Sequence, residues 1–227
     1  MEFEIINGVL IRGTGDPDIT DVVIADSVKE IGEGTFRECL NLESVTIMDG
    51  VAKIGSRAFG ECAKLRSVTI PDSVREIGDN AFSQCTSLQS IIIPDSVTEI
   101  GEGAFCECDN LSSIAIPDSV TELGGFAFFG CVNLPSIAIP KGVKKIDIFT
   151  FQGCSKLETI TIPDGVTKID EWAFSGCESL QSVTIPDSVI EIEASAFEDC
   201  ENLIITAPKN SYAIEYAKAN NIRYKEI

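Results

Sequence analysis

Isoleucine returns every 23 residues along most of this chain. Ile24, Ile47, Ile70, Ile93, Ile116, Ile139, Ile162 and Ile185 fall in one column with no insertion between them. Other apolar columns keep the same register. Val28 recurs down to Val189, and Ile31 recurs down to Ile192 with Leu123 as the one exchange. Phe36, Phe59, Phe82, Phe105, Phe128, Phe151, Phe174 and Phe197 form an unbroken phenylalanine column. Cys39, Cys62, Cys85, Cys108, Cys131, Cys154, Cys177 and Cys200 follow it three residues on. Residues 24–207 are therefore eight copies of one 23-residue unit. A unit this short cannot bury its own apolar face, but stacked copies can, because each side chain lands on its counterpart in the next coil. The pattern predicts a solenoid with a continuous core and nearest-neighbour energetics.

Each unit divides into three parts. Val68 and Ile70 alternate with polar neighbours, which predicts a short strand ended by Pro71 and the Asp72-Ser73 turn. Val74, Ile77 and Gly78 mark a second extended segment. Ala81-Phe82, Cys85 and Leu88 repeat at a spacing of three, which suits a 3₁₀ or short helical turn. Parallel strands would set the coils ~4.8 Å apart. The ends differ, as solenoid caps must. Residues 2–13 read as a β-hairpin around Asn7-Gly8, with a half-repeat at Ile19, Val22 and Ile24 beneath it. Past Pro208, Ser211 is placed to cap a helix whose apolar face is Tyr212, Ala213, Tyr216, Ala217 and Ala219, and residues 222–227 read as a closing strand. The whole chain, 1–227, reads as one domain: an N-terminal cap over 1–23, the repeats over 24–207 and a C-terminal helix–strand cap over 208–227.

The unit I-P-D-S-V-x-E-I-G-x-x-A-F-x-x-C-x-x-L-x-S-I-x, clearest in residues 70–92 and 93–115, resembles the BspA-like leucine-rich repeat, also called the Treponema pallidum type. The opening Asn7-Gly8-Val9-Leu10 and the closing Ser211 to Ala217 resemble the caps of that family. The resemblance implies a leucine-rich repeat solenoid of parallel strands. It also implies a non-catalytic, adhesin-like scaffold, cell-surface or secreted, that binds host or bacterial proteins. It brings no catalytic site with it. Residues 1–20 contain Glu2, Glu4, Arg12, Asp16 and Asp18 and no long apolar run, so no signal peptide is recognised and the cytoplasm stands as the alternative location.

Charge narrows the partner. The chain has 17 Lys plus Arg against 36 Asp plus Glu, a net charge of −19. That opposes nucleic acid and anionic membranes, whose phosphates need a basic footprint, and favours basic protein partners through long-range steering. No apolar run approaches a membrane span. Histidine is absent, which removes His-based triads and His metal ligands. The cysteine column reads as buried thiols acting as small apolar groups, with neither disulfides nor a metal site expected. Cys106, at a variable position, is expected to be exposed and oxidisable. No cofactor is implied, and the protein is expected to be a monomer.

In a repeat protein the invariant columns are core and the variable ones are surface. The eleventh position of the unit reads Gly34, Arg57, Asn80, Gly103, Phe126, Phe149, Trp172 and Ser195. Phe126, Phe149 and Trp172 should stack as a ridge, with Phe129 and Ile148 beside it. This is the candidate partner-binding site, since grouped aromatics mark interaction surfaces; the alternative is packing over the coil edge. A row of aromatics also suits sugar rings, with Asn133 and Glu171 near, so a glycan ligand or a purely structural role stays open. The strand face offers a second surface of small residues, such as Ser67 and Thr69. An acidic column, Asp26, Asp49, Asp72, Asp95, Asp118, Asp164 and Asp187 with Lys141 in the sixth copy, is expected to bond its own turn backbone rather than calcium.

Overall fold

The computed structural model describes residues 3–12 and 18–227. The alternating residues form a ladder of short parallel strands, among them Asp21–Ile24, Ser44–Ile47, Ser67–Thr69, Thr159–Thr161 and Ser182–Thr184. Register advances by one repeat per coil, so Val22 faces Val45 and Val45 faces Val68. The second extended segment gives two-residue strands, from Glu30–Ile31 through Lys53–Ile54 to Glu191–Ile192, paired in the same register.

The eight phenylalanines stack through the core. Neighbouring ring centroids lie 5.1–5.6 Å apart, and the planes agree within 10°. Phe3 closes one end of the stack edge-on at 6.2 Å, and Tyr216 closes the other at 6.2 Å. Each cysteine of the repeat column from Cys62 onward donates its Sγ–H to the carbonyl of the phenylalanine one coil back, as in Cys85 to Phe59 at 3.2 Å. All nine thiols are free. Burial raises them above the usual thiol range, Cys62 and Cys200 to about 12. Treated with iodoacetamide at pH 8, the folded protein is expected to take label on no more than Cys39, Cys106 and Cys200, the half-buried three, and on all nine once unfolded. Mass spectrometry counts the adducts; label on Cys85 or Cys108 in the folded state would mean the core opens readily.

The turn segments carry the i to i+3 bonds of 3₁₀ geometry as isolated turns rather than a helix. Ala81, Ser83 and Cys85 donate back to Gly78, Asn80 and Phe82, while the alternate amides of Asn80, Phe82 and Gln84 donate forward to Glu102, Ala104 and Cys106 in the next coil. Asn80 and Gln84 take left-handed backbone, φ 55° and 57°, which interrupts any helix and turns every second amide outward.

The hairpin pairs Glu4–Ile6 with Val9–Arg12 through Asn7 and Gly8, both at positive φ as a tight hairpin turn requires. Of the span expected for it, residues 2 and 13 lie outside the described residues. Val9–Arg12 then pairs in parallel with Glu30–Ile31, which seats the cap on the second ladder. At the far end the helix Tyr212–Ala219 buries Ala213, Ile214, Tyr216 and Ala217, and Arg223–Glu226 pairs with Ile204–Ala207. Ser211 holds the N-cap position, but its buried hydroxyl makes no cap bond; its carbonyl takes the Ile214 amide instead.

Candidate functional site

The ridge rests on a backbone feature. Position eleven of the unit is left-handed in seven copies, φ 52–61° from Gly34 to Trp172. Glycine and asparagine suit that conformation, whereas a bulky residue there costs ~1–2 kcal/mol. Phe126, Phe149 and Trp172 occupy it in three successive coils. Their rings meet at 4.6 Å between Phe126 and Phe149 and at 5.0 Å, nearly parallel, between Phe149 and Trp172. Such pairs return ~0.5–1.5 kcal/mol each. Two stacking contacts, ~1–3 kcal/mol, do not by themselves offset three strained residues, ~3–6 kcal/mol; partial burial of the rings supplies the rest.

Phe129 touches Phe126 at 5.9 Å, and Ile148 lies over Gly125, where an added Cβ would sit 3.2 Å from Ile148 Cγ2. Trp172 Nε1–H donates to Glu198 Oε2 at 3.0 Å. All five side chains are half-buried. The structure thus brings together every residue assigned to the ridge. Asn133, considered as a sugar contact, is already engaged: it donates to the Asp109 carbonyl and accepts from Lys156.

A groove of about 570 Å³ runs from Phe129 across several coils. Leu40, Phe129 and Val132 give it apolar ends, and Glu61, Glu107 and Asp109 line its length; Arg37 holds Glu61 at 2.7 Å, and among the described residues no basic side chain lines the groove itself. This groove was not apparent in the sequence. It follows a second left-handed column, Glu38, Glu61, Gln84 and Glu107, φ 55–63°. The signal was Gly130, Gly153 and Gly176 at the same position of later copies.

The strand face is less uniform than its Ser/Thr column suggests, because Ile92 stands 79% exposed on it. A second groove, about 800 Å³, opens there between Ser136, Ala138, Thr159 and Thr161, with Asp118 and Lys141 at its rim. The acidic column differs from expectation. Among the described residues only the Asp118 carboxylate in it is held, by Lys141 at 2.7 Å, which keeps it below the usual range. The other turns close through backbone, as Val74 N–H to Pro71, and through the following serine, as Ser73 Oγ–H to the Val51 carbonyl. Proline withholds its amide but leaves its carbonyl free, so the turn does not need the aspartate. Cys106 is half-buried rather than exposed, and burial, then the nearby Glu107 charge, pushes its thiol up to about 11, the reverse of an activated cysteine.

Among the described residues no three His, Cys, Asp or Glu side chains gather as metal ligands, and no helix is long and apolar enough to cross a membrane.

Comparison with known proteins matches the model of the BspA type leucine rich repeat region over residues 15–134 and 75–204, in six copies. A leucine-rich repeat protein of T. pallidum is similar at 31% identity, over 79% of this chain and 87% of that one, with a TM-score of 0.72. A leucine-rich repeat protein from Bacteroides ovatus is similar at 25% identity, over 91% of this chain and 68% of that one, with a TM-score of 0.66. Curated proteins give no match.

Proposed function

We propose, from the premise that this chain belongs to the BspA-type leucine-rich repeat family, that it is a non-catalytic scaffold binding a protein partner on the ridge of Phe126, Phe149 and Trp172. One observation carries the reading: three bulky aromatics stand side by side on left-handed backbone whose strain their stacking alone does not offset. Phe129 and Ile148 extend the apolar contact, and the acidic groove beside Phe129 favours a partner with basic residues flanking an apolar anchor. We place the protein at the cell surface or outside the cell, in an adhesin-like role, by analogy with the family.

Changing Phe126, Phe149 and Trp172 together to asparagine tests this, because Asn80 already holds the same backbone position. The variant should still fold, since the strain relieved opposes the stacking and partial burial lost. Both proteins, immobilised, are then offered protein and polysaccharide extracts of candidate host and producing cells. Capture of a partner at least tenfold weaker by the variant, and weaker in 0.5 M salt, is the expected result. Equal capture by both would remove the ridge as the site. Capture of polysaccharide alone would replace a protein partner with a glycan.

A further inference from the structure

The second ladder runs without a gap from the hairpin to Glu122–Leu123 and restarts at Lys145–Ile146. The first ladder stops at the same level. Ser113–Ala115 pairs back with Ser90–Ile92, whereas residues 136–138 form no strand and touch the ladder only through a bridge from Ser136 to Thr159. The first ladder has another gap, between Ser67–Thr69 and Ser90–Ile92, but the second ladder is continuous there. Among the described residues, both ladders stop together only between the coil of residues 112–134 and the coil of residues 135–157.

Two residues account for this. The amides of Arg66, Ser112, Glu158 and Gln181 each donate to the preceding coil at 2.9–3.1 Å. Pro135 occupies the same position and has no N–H to give; Gln89, at the other gap of the first ladder, makes no bond of this kind either, but there the second ladder stays continuous. The second cause is the end of a glycine column. A Cβ on Gly124 would lie 2.5 Å from the Glu102 nitrogen and 2.6 Å from the Gly101 carbonyl carbon, so coils this close need glycine there. The next residue of that column is Asp147, followed by Asp170 and Glu193. Coils of one kind pair among themselves: Gly124 N–H bonds to Ile100 at 2.9 Å, and Asp170 N–H bonds to Ile146 at 2.9 Å. Where the two kinds meet, neither Lys144 nor Asp147 N–H makes the corresponding bond.

The opposite side of this junction is intact. Phe126, Phe128 and Gly130 N–H donate across it to Ile148, Thr150 and Gln152 at 2.8–3.0 Å, and Phe126 stacks on Phe149. On the strand side the charged tie is the exposed Lys141–Asp118 pair, of a kind salt weakens. Glu122 and Lys145, opposite in charge at the same ladder position, are not paired; Lys145 turns to Asp147 and Asp170. The groove of about 800 Å³ opens on this strand side.

We propose that this junction is a hinged seam, opening first on its strand side about the Phe126–Phe149 side, and that it divides the solenoid into two blocks that open separately. The blocks lie on either side of residues 135–147. The inference rests on the backbone pairing and the contacts across the junction, and stands whether or not the ridge binds a partner.

Native-state hydrogen exchange in increasing urea tests it on the whole chain. The amides compared are ones that are bonded within a block: Gly78, Gly101 and Gly124 on one side, Asp170 and Glu193 on the other. Two groups are expected, with exchange rates at least tenfold apart and different urea dependence. In Pro135→Gln/Asp147→Gly, which restores the missing donor and the close approach, the groups should merge. Coincident exchange of all five amides in the wild type would overturn the seam, as would two groups that persist unchanged in a folded variant. If the variant does not fold, the wild-type comparison alone decides.

Discussion

Phe105→Ala is expected to destabilise the protein by about 3–5 kcal/mol, the usual cost of emptying a buried phenylalanine site. Phe105 is fully buried and lies 5.5 Å from Phe82 and 5.6 Å from Phe128, so its loss removes two ring contacts at once. The neighbouring coils cannot collapse into the gap, because their own hydrogen bonds hold their spacing. Domains are commonly stable by only ~5–15 kcal/mol, so the variant should be visibly compromised at room temperature. Urea unfolding followed by far-UV circular dichroism measures the change. A loss under 1 kcal/mol would show that the aromatic column is not what holds the coils together.

Gly55→Ala is the second large effect, at roughly 1–3 kcal/mol by the cost of overpacking. The added Cβ would lie 2.6 Å from the Ile31 carbonyl oxygen and 2.9 Å from the Gly32 carbonyl carbon. Both are backbone atoms with no rotamer to change, so the two coils must part and strain the Gly55 N–H bond to Ile31. Gly34→Ala is the control. Its Cβ meets only Arg37 Cβ, at 3.9 Å, leaving just the left-handed strain of φ 59°. Urea midpoints give both losses: Gly34→Ala reports the left-handed strain alone, and a Gly55→Ala loss under about 0.5 kcal/mol, below the overpacking range, would mean that coil spacing is not set by this glycine column.

The repeat was legible because one position of the unit has one environment in every coil. Phe59 and Phe151 meet the same neighbours, so selection for packing leaves the same letter at each. The caps were legible from local chemistry, as in Asn7-Gly8. What escaped was carried by backbone rather than by side-chain type. Glu61 and Glu107 look like ordinary surface acids, and nothing about glutamate announces φ near 60°. The ridge residues were found as an aromatic column, but the strain beneath them shows only in the dihedral angles. Pro135 and Asp147 were visible as departures from the repeat. Their joint effect needed coordinates, because they stand twelve residues apart in the chain yet bear on the same pair of coils.

Away from the seam, each coil hands the next nearly the same set of backbone donors and acceptors, at a step of 23 residues with no insertion. Within either block, a genetic exchange that adds or removes one whole unit therefore leaves each neighbour facing an equivalent partner. Such a gene can drift in length by whole coils while its product still folds, and the reach of the molecule becomes a trait that recombination can tune without inventing new sequence.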